Sequence, residues 1–187
     1  GLNSACGMAY SIKYFEKTLN RVYCLLGDGE MAEGSCWEAM NFASYYKLDN
    51  LVAVVDVNRL GQSAETSLEH NMEVYEQRFT AFGFHSIVVD GHNIKEIAHA
   101  LATAKETKDK PTAILAKTIK GKYFLEEIED LKGWHGKPLI KQSEKVVKSL
   151  GESITNNDVK VTPSKPESKA VEPEIKPLQV PKLEFNK

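Results

Sequence analysis

The sequence predicts an α/β domain built on a doubly wound parallel sheet, with helices on both of its faces. Four short, largely apolar segments, at residues 21–26, 51–57, 84–90 and 111–116, have the length and composition of strands. Segments with helical periodicity separate them. Because strand–helix–strand units within one sheet are almost always parallel and right-handed, this alternation predicts one parallel sheet.

The first half of the chain opens within an element. It starts at Gly1 rather than at an initiator methionine, and residues 1–16 already read as a helix. We therefore expect a fragment of a longer protein. The strand at 21–26, a helix at 34–47 and the strand at 51–57 then form the first strand–helix–strand unit.

The second half continues the alternation. Residues 68–82 are expected to form a helix, 84–90 a buried strand and 139–150 a last helix. Asn93 can cap the helix between the last two strands. The apolar residues of that helix recur at helical spacing: Ile94, Ile97, Ala98, Leu101 and Ala102. Residues 117–138 are predicted to be a functional loop across the sheet edge, because long loops without regular structure are uncommon in compact domains.

Residues 1–150 form the predicted domain, and the composition changes after it. Residues 152–187 contain five of the seven prolines, no glycine and a single aromatic residue, Phe185. Such a segment buries too little apolar surface to offset the entropy lost on ordering. We interpret residues 151–187 as an extended, proline-containing linker.

The composition excludes several classes of function. With 42% hydrophobic residues the chain can form a core, and a net charge of −2 gives no basic surface for nucleic acid or an anionic membrane. No apolar run approaches the length of a membrane span. The three cysteines, Cys6, Cys24 and Cys36, lack metal-ligand spacing. We expect Cys24 and Cys36 to be small buried residues in a reducing, cytosolic compartment.

Two polar residues follow the first two predicted strands. Asp28 follows the first strand, and Asn58 follows the second, 30 residues later. Parallel strands end at the same edge of a sheet, so these side chains should converge where α/β sheets bind ligands. Their oxygens suit Mg²⁺ or Ca²⁺ and suit zinc poorly. Gly27 and Gly29 flank Asp28 and permit close approach to a phosphate, so the pattern predicts a metal–diphosphate site.

Five sequence blocks, in this order, are similar to those of one enzyme family. Gly27-Asp-Gly-Glu30, followed by Asn58, resembles the diphosphate-binding motif of thiamine-diphosphate enzymes. The flanking blocks resemble those of transketolases, of the animal cytosolic branch more than the bacterial one. They are Gly34-Ser-Cys-Trp-Glu-Ala-Met40, Tyr46-Lys-Leu-Asp-Asn50, Asn58-Arg-Leu-Gly-Gln-Ser63 and Trp134-His-Gly-Lys-Pro138.

The resemblance covers residues 1 to about 150 and implies a cofactor site. Asp28, the side-chain oxygen of Asn58 and the backbone carbonyl of Leu60 would bind Mg²⁺, with Ca²⁺ or another divalent cation as an alternative. The backbone N–H of Gly29 would donate to the diphosphate of thiamine diphosphate. Oxygens of the diphosphate and a water would complete the octahedral shell of the metal.

Three further residues take roles from the resemblance. Lys120 would reach the cofactor; otherwise it is an ordinary solvated lysine. His135 would contact cofactor and substrate and act in proton transfer, with Trp134 as a wall beside it; otherwise it is an exposed loop histidine. Glu33 matches a glutamate at a subunit interface, although its place at a helix start already favours an acid. The other four histidines match no catalytic motif.

The loop at residues 117–138 departs from the family pattern after Gly121, where many members soon place a second glycine.

The resemblance implies the diphosphate-binding domain of a transketolase, truncated at its N-terminus and followed by the linker to an absent pyrimidine-binding domain. Such an enzyme is a cytoplasmic homodimer that moves a two-carbon ketol unit from a ketose phosphate to an aldose phosphate in the pentose phosphate pathway. A glutamate that activates its cofactor would come from the second domain of the partner subunit. This chain alone should therefore be inactive. The alternatives are another thiamine-diphosphate enzyme, such as a deoxyxylulose-phosphate synthase or a 2-oxo-acid dehydrogenase subunit, and a non-catalytic truncated product.

Overall fold

A four-stranded parallel sheet organises the chain, as the sequence predicts. Its strands are β1 (Val22–Gly27), β2 (Leu51–Val57), β3 (His85–Asp90) and β4 (Thr112–Lys117), in the spatial order β1-β2-β4-β3. All three neighbouring pairs are parallel, which makes β2 and β4 the central strands. The computed structural model describes residues 1–155 and 162–163, and residues 1–155 form one unit.

Helices connect these strands. The first predicted helix is α1 (Leu2–Tyr10), which continues into a π-helical segment (Ser11–Glu16). Lys17 ends this segment in the left-handed conformation, with φ 53°. A short 3-10 helix (Asp28–Ala32) leads from β1 towards the next helix. The remaining helices are α2 (Gly34–Tyr45), α3 (Met72–Ala81), α4 (Ile94–Glu106) and α5 (Ser143–Ser153).

The larger core lies between one face of the sheet and helices α1, α2 and α3. Alternate residues of β1 point into it, because successive side chains of a strand point to opposite faces. The buried residues of the sheet on this face are Val22, Cys24, Leu26, Leu51, Ala53, Val55, Val57, Ala113 and Leu115. Met40 of α2 and Phe79 of α3 are fully buried against them.

A smaller core lies on the opposite face, beneath α4. Residues of the sheet and of α4 meet there: Val52, Val89, Ile114, Ala116, Ala100 and Ala104. Over β1 the described residues leave this face uncovered, so Tyr23 is 49% and Leu25 73% exposed. Helices lie on both faces, which confirms the predicted doubly wound architecture.

Three predicted elements differ in the structure. The helix expected at 68–82 begins only at Met72, because backbone bonds from Glu69 to Thr66 and from Asn71 to Leu68 close turns before it. The strand expected to be buried is the edge strand β3, in which only Val89 is buried. The last helix begins at Ser143 rather than at residue 139, since the Ser143 hydroxyl binds the Ile140 carbonyl.

The cap of α4 is confirmed, but its predicted apolar face is partly wrong. The Asn93 side chain accepts bonds from the backbone N–H groups of Lys95 (3.1 Å) and Glu96 (3.4 Å). Ile94, by contrast, is 78% exposed, and the fully buried positions are Ala100 and Ala104. Alanines at four positions of α4 are equally hydrophobic, so periodicity alone could not decide which of them face the sheet.

The described residues bear on two further expectations. All three cysteines are buried and free, as predicted for Cys24 and Cys36. No helix in the described part of the chain is long and apolar enough to cross a membrane. The proposed linker lies outside the described residues except for 151–155 and 162–163.

Candidate functional site

The carboxyl edge of the sheet brings Asp28 and Asn58 to one cavity. Gly27 of β1 is in register with Asp56 of β2, so the two polar residues leave the sheet at the same edge. Both line a cavity of about 470 Å³. The other residues expected to bind the metal or cofactor, to act in catalysis or to lie at the subunit interface line it too: Gly29, Glu33, Leu60, Lys120 and His135.

Asp28 is a buried carboxylate, 4% exposed. Its oxygens accept bonds from the backbone N–H of Gly29 (3.0 Å), the backbone N–H of Arg59 (2.8 Å) and the hydroxyl of Thr66 (3.0 Å). Burial raises the pKa of the Asp28 carboxyl above its usual value, and these bonds oppose that rise. No ion pair with a basic side chain of the described residues offsets its charge. A cation in the cavity would do so.

A second carboxylate, Asp56, orients Asn58. The Asn58 amide donates from Nδ2 to Asp56 Oδ2 (3.2 Å), and its Oδ1 accepts from the backbone N–H of Leu60 (3.1 Å). Asp56 Oδ1 accepts a short bond from the Thr118 hydroxyl. The amide is thereby fixed with its oxygen towards Leu60. Asp56 is not among the site residues expected from the sequence, although its place two residues before Asn58 at the end of β2 is a usable signal.

The donors at this edge suit a divalent cation that prefers oxygen. Asp28 offers a carboxylate, Asn58 an amide oxygen and Leu60 a backbone carbonyl, all on the wall of the same cavity. Across residues 1–155 and 162–163 no group of three or more His, Cys, Asp or Glu side chains could hold a metal ion. A cation here would therefore depend on these mixed oxygens and on oxygens of the bound ligand. The buried, unpaired charge of Asp28 fits that arrangement.

Two histidines fix the start of the loop that carries Lys120. His70 Nε2 lies 2.8 Å from the carbonyl oxygen of Thr118, and His92 Nε2 accepts from the backbone N–H of Ile119 (2.8 Å). Since a carbonyl oxygen can only accept, His70 carries a proton on Nε2. No motif pointed to either histidine, because each acts through the backbone of a distant segment.

The loop reaches the cavity despite its departure from the family pattern. Gly121 has φ 69°, and Tyr123 has φ 68°, a left-handed conformation that glycine adopts without strain. The backbone N–H of Asp130 then donates to the Lys120 carbonyl (2.9 Å) and closes the loop. His135 reaches the mouth of the cavity as an exposed residue. Trp134 lies beside His135 in an adjacent recess, which shares Leu60, Lys120 and His135 with the cavity.

Glu33 lies at the rim of this cavity, at the start of α2. It is exposed and is the N-terminal cap residue of the helix. The neighbouring Glu30 accepts instead from the backbone N–H of Gly27 (2.7 Å) and stabilises the turn after β1. The helix-terminus account is therefore sufficient for Glu30, while Glu33 is free to face a ligand or another subunit.

Fold and cavity together define an α/β domain with a candidate ligand site at the carboxyl edge of a parallel sheet. A family model, that of the transketolase thiamine diphosphate binding domain, matches residues 1–158. The chain belongs to the transketolase family, within that domain.

Individual transketolases are similar to this chain in sequence and in structure. Transketolase of Homo sapiens is 50% identical over 184 residues, which cover 98% of this chain and 29% of that protein. A crystal structure of transketolase from Campylobacter jejuni superposes with a TM-score of 0.71 at 35% identity, over 81% of this chain and 24% of that one. A transketolase from Pichia stipitis in complex with sedoheptulose-7-phosphate gives 0.66 at 25% identity, over 81% and 24%. This chain thus spans less than a third of the relatives that it matches.

Proposed function

We propose that this chain supplies the diphosphate-binding part of a transketolase active site. The gathering of Asp28, Asn58, Leu60, Lys120 and His135 around one cavity of about 470 Å³ carries this proposal. The reaction is transfer of a two-carbon ketol unit from a ketose phosphate to an aldose phosphate, in the pentose phosphate pathway. The sugar phosphate bound by the Pichia stipitis relative supports this class of substrate.

The residues after β1 and β2 anchor the cofactor. Thiamine diphosphate, when bound, supplies a nucleophilic carbon and an electron sink. Asp28, Asn58 and the Leu60 carbonyl hold Mg²⁺, or Ca²⁺ in its place, against the diphosphate. The Gly29 N–H donates to Asp28 Oδ1 at 3.0 Å. To donate to the diphosphate, as proposed, the Gly29 N–H would have to give up its bond to Asp28 Oδ1.

Lys120 and His135 come from the loop after β4 and line the same cavity. Lys120 supplies a positive charge to the lining of the cavity and favours the binding of an anionic ligand. His135 is exposed at the mouth, where its ring nitrogens can donate to or accept from a sugar hydroxyl and can move a proton near neutral pH. Together they orient substrate against the anchored cofactor.

The complete protein is proposed to be a cytoplasmic C2 homodimer with the cofactor between subunits. The exposed Glu33, on the rim of the cofactor cavity, is the residue of this chain that we place nearest to that interface. The three free, buried cysteines support a reducing compartment. A net charge of −2 gives no support to a nucleic-acid or membrane partner.

A chimera tests the function directly. The 184 matched residues of this chain replace the corresponding segment of Homo sapiens transketolase. We expect ketol transfer between sugar phosphates that requires thiamine diphosphate and is lost when a chelator removes the divalent cation. In the His135→Ala chimera the turnover should fall while cofactor binding persists.

The same experiment distinguishes the proposed function from the remaining alternative, a non-catalytic product. A chimera that folds and dimerises, yet binds no thiamine diphosphate and transfers no ketol unit, would overturn the proposed function. Asp109→Asn is the matched control, because Asp109 is exposed and does not line the cavity. Its activity should equal that of the unmodified chimera.

A further inference from the structure

Two loops contribute residues to the lining of the cavity, and little regular structure joins them. The β2 loop, residues 58–66, follows β2 and carries Asn58 and Leu60. The β4 loop, residues 118–138, follows β4 and carries Lys120 and His135. The β4 loop contains turns but neither helix nor strand. Its position against the β2 loop must therefore come from side-chain contacts.

Arg59 makes the central contact. Its guanidinium donates from Nε to Asp130 Oδ1 (3.0 Å), lies 2.8 Å from Asp130 Oδ2 through Nη2, and donates from Nη2 to the Asp130 carbonyl (3.1 Å). The forked N–H donors of the guanidinium thus bind both the carboxylate and the backbone carbonyl of Asp130. Such planar, multidentate recognition is specific to arginine, since a lysine ammonium is a single point of charge.

Both ends of this contact are tied to predicted site residues. The backbone N–H of Arg59 donates to Asp28 Oδ2 (2.8 Å). At the other end, the backbone N–H of Asp130 donates to the Lys120 carbonyl (2.9 Å). A continuous series of bonds therefore runs from Asp28 through Arg59 and Asp130 to Lys120. It joins the buried carboxylate of Asp28, a neighbour of the β2 loop, to the backbone of Lys120 in the β4 loop, and both residues line the cavity.

The backbone at this contact supports the same conclusion. Arg59 has φ 62° and Asp130 has φ 60°, both in the left-handed region that side-chain-bearing residues adopt at a cost. The pair is partly shielded, with side-chain exposures of 22% and 35%. A neighbouring pair, Glu65 and Lys132 at 2.6 Å, joins the same two loops but touches neither Asp28 nor Lys120.

We propose that Arg59 is a positioning residue that couples the metal-binding side of the cavity to the substrate side through Asp130. Its backbone orients Asp28, and its side chain holds the β4 loop so that Lys120 and His135 face the same ligand. The proposal rests on the proposed function for its kinetic consequence. The coupling of the two loops can be measured without any catalytic activity.

The first test measures the loop in the 187-residue chain. Asp130→Asn keeps a residue that tolerates left-handed φ but removes the charge, and Arg59→Lys keeps the charge but removes the fork. Each should raise the rate of chymotrypsin cleavage after Tyr123, Phe124 or Trp134 by about fivefold or more, because local opening exposes these sites. The double variant should be cut no faster than the single ones. Lys132→Ala, the matched control, should stay within about twofold of the wild type.

The second test measures kinetics in the chimera with Homo sapiens transketolase. Asp130→Asn should raise KM for the sugar phosphate about tenfold or more, because the substrate side loses its alignment. The affinity for thiamine diphosphate should change less than about twofold, since the backbone bond from Arg59 to Asp28 remains.

The outcomes separate the two proposals. Wild-type cleavage rates in Asp130→Asn, or an equal increase in Lys132→Ala, would overturn the coupling. Loss of cofactor affinity with an unchanged KM would overturn the positioning role. If the chimera is inactive and binds no cofactor, while the variants of the 187-residue chain are cleaved at the expected rates, the proposed function is wrong. The coupling of the two loops is then still supported.

Discussion

Asp28 shows how a single residue can be placed by its neighbours in sequence and then defined by distant ones. It follows directly after β1 in the sequence, but its oxygens accept bonds from the Arg59 backbone and the Thr66 hydroxyl, which follow another strand. It is buried with a raised pKa and has hydrogen bonds but no counter-charge among the described residues. A buried charge without a counter-charge destabilises the folded protein unless a bound ligand offsets it.

Asp28→Ala in the chimera should abolish retention of thiamine diphosphate at saturating Mg²⁺ while leaving the fold intact. The substitution removes the charged ligand that fixes the metal against the diphosphate, whereas the strands do not depend on it. Titration of the cofactor measures the affinity, and circular dichroism checks the fold. An affinity equal to that of the Asp109→Asn control would sink the assignment of Asp28 as a metal ligand.

Cys6 gives a prediction about pH. Burial raises its thiol pKa to about 12, from 9.0, with a smaller contribution from Cys24. Above pH 9 the unfolded chain releases this proton and the folded chain keeps it, so stability falls as pH rises from 9 towards 12. Urea unfolding of wild type and Cys6→Ala at pH 8, 9 and 10 isolates this effect. The wild type should lose stability relative to the variant, by up to about 1.4 kcal/mol per pH unit. A constant difference across this range would contradict it.

At the scale of elements, α3 ends in a well-formed Schellman motif. Gly83 donates to the Thr80 carbonyl (2.9 Å) and Phe84 donates to the Phe79 carbonyl (3.0 Å). The rings of Phe79 and Phe84 meet edge to face at 5.5 Å between centroids, which is the hydrophobic contact that accompanies this motif. Gly83 has φ 85°, and a Cβ there would collide with the Ser44 hydroxyl.

Gly83→Ala should therefore destabilise the chain by about 1–3 kcal/mol, through left-handed strain and the collision with Ser44. Adding Ser44→Ala should restore part of the loss, because it removes the collision but not the strain. Gly151→Ala is the opposite control: it lies in α5 with no atom within 4 Å of an added Cβ. It should stabilise the helix by about 0.5–1 kcal/mol. Denaturant unfolding measures all four proteins, and a neutral Gly83→Ala would refute the motif's importance.

At the scale of the whole molecule, the described unit leaves part of its sheet uncovered. β1 is an edge strand, and Tyr23 and Leu25 on its outer face are 49% and 73% exposed. Parallel sheets are normally covered on both faces, and exposed strand edges favour association. The matched relatives are more than three times as long as this chain, which covers 29% of the human protein.

The 187-residue chain alone should show no ketol transfer, even with thiamine diphosphate, Mg²⁺ and sugar phosphates in excess. It offers Asp28, Asn58, Lys120 and His135 to the cavity, but the proposed activating glutamate belongs to another domain. An interaction made only in the transition state cannot be replaced by raising ligand concentration. Turnover by the purified chain, free of host enzyme, would require a different catalytic group.

The chimera should sediment as a dimer, and a fully active monomer would contradict the proposed assembly.

The sequence by itself determined the order and type of the elements, because periodicity and β-branched content are local properties. Four parallel strands, the cap at Asn93 and the convergence of Asp28 with Asn58 follow from it and are found in the structure. The roles that the resemblance gave to the cavity residues remain proposals.

Only the tertiary structure decided which strands lie at the edges and which long-range partners complete the cavity. β3 reads as a buried strand, yet its place beside β4 alone leaves it half exposed. Thr66, His92 and the Arg59–Asp130 pair carry no local signature, and the last pair is separated by 71 residues in sequence. Hydrogen bonds and ion pairs depend on distances that chain spacing does not fix. The sheet order sets those distances, and with them the geometry of the site.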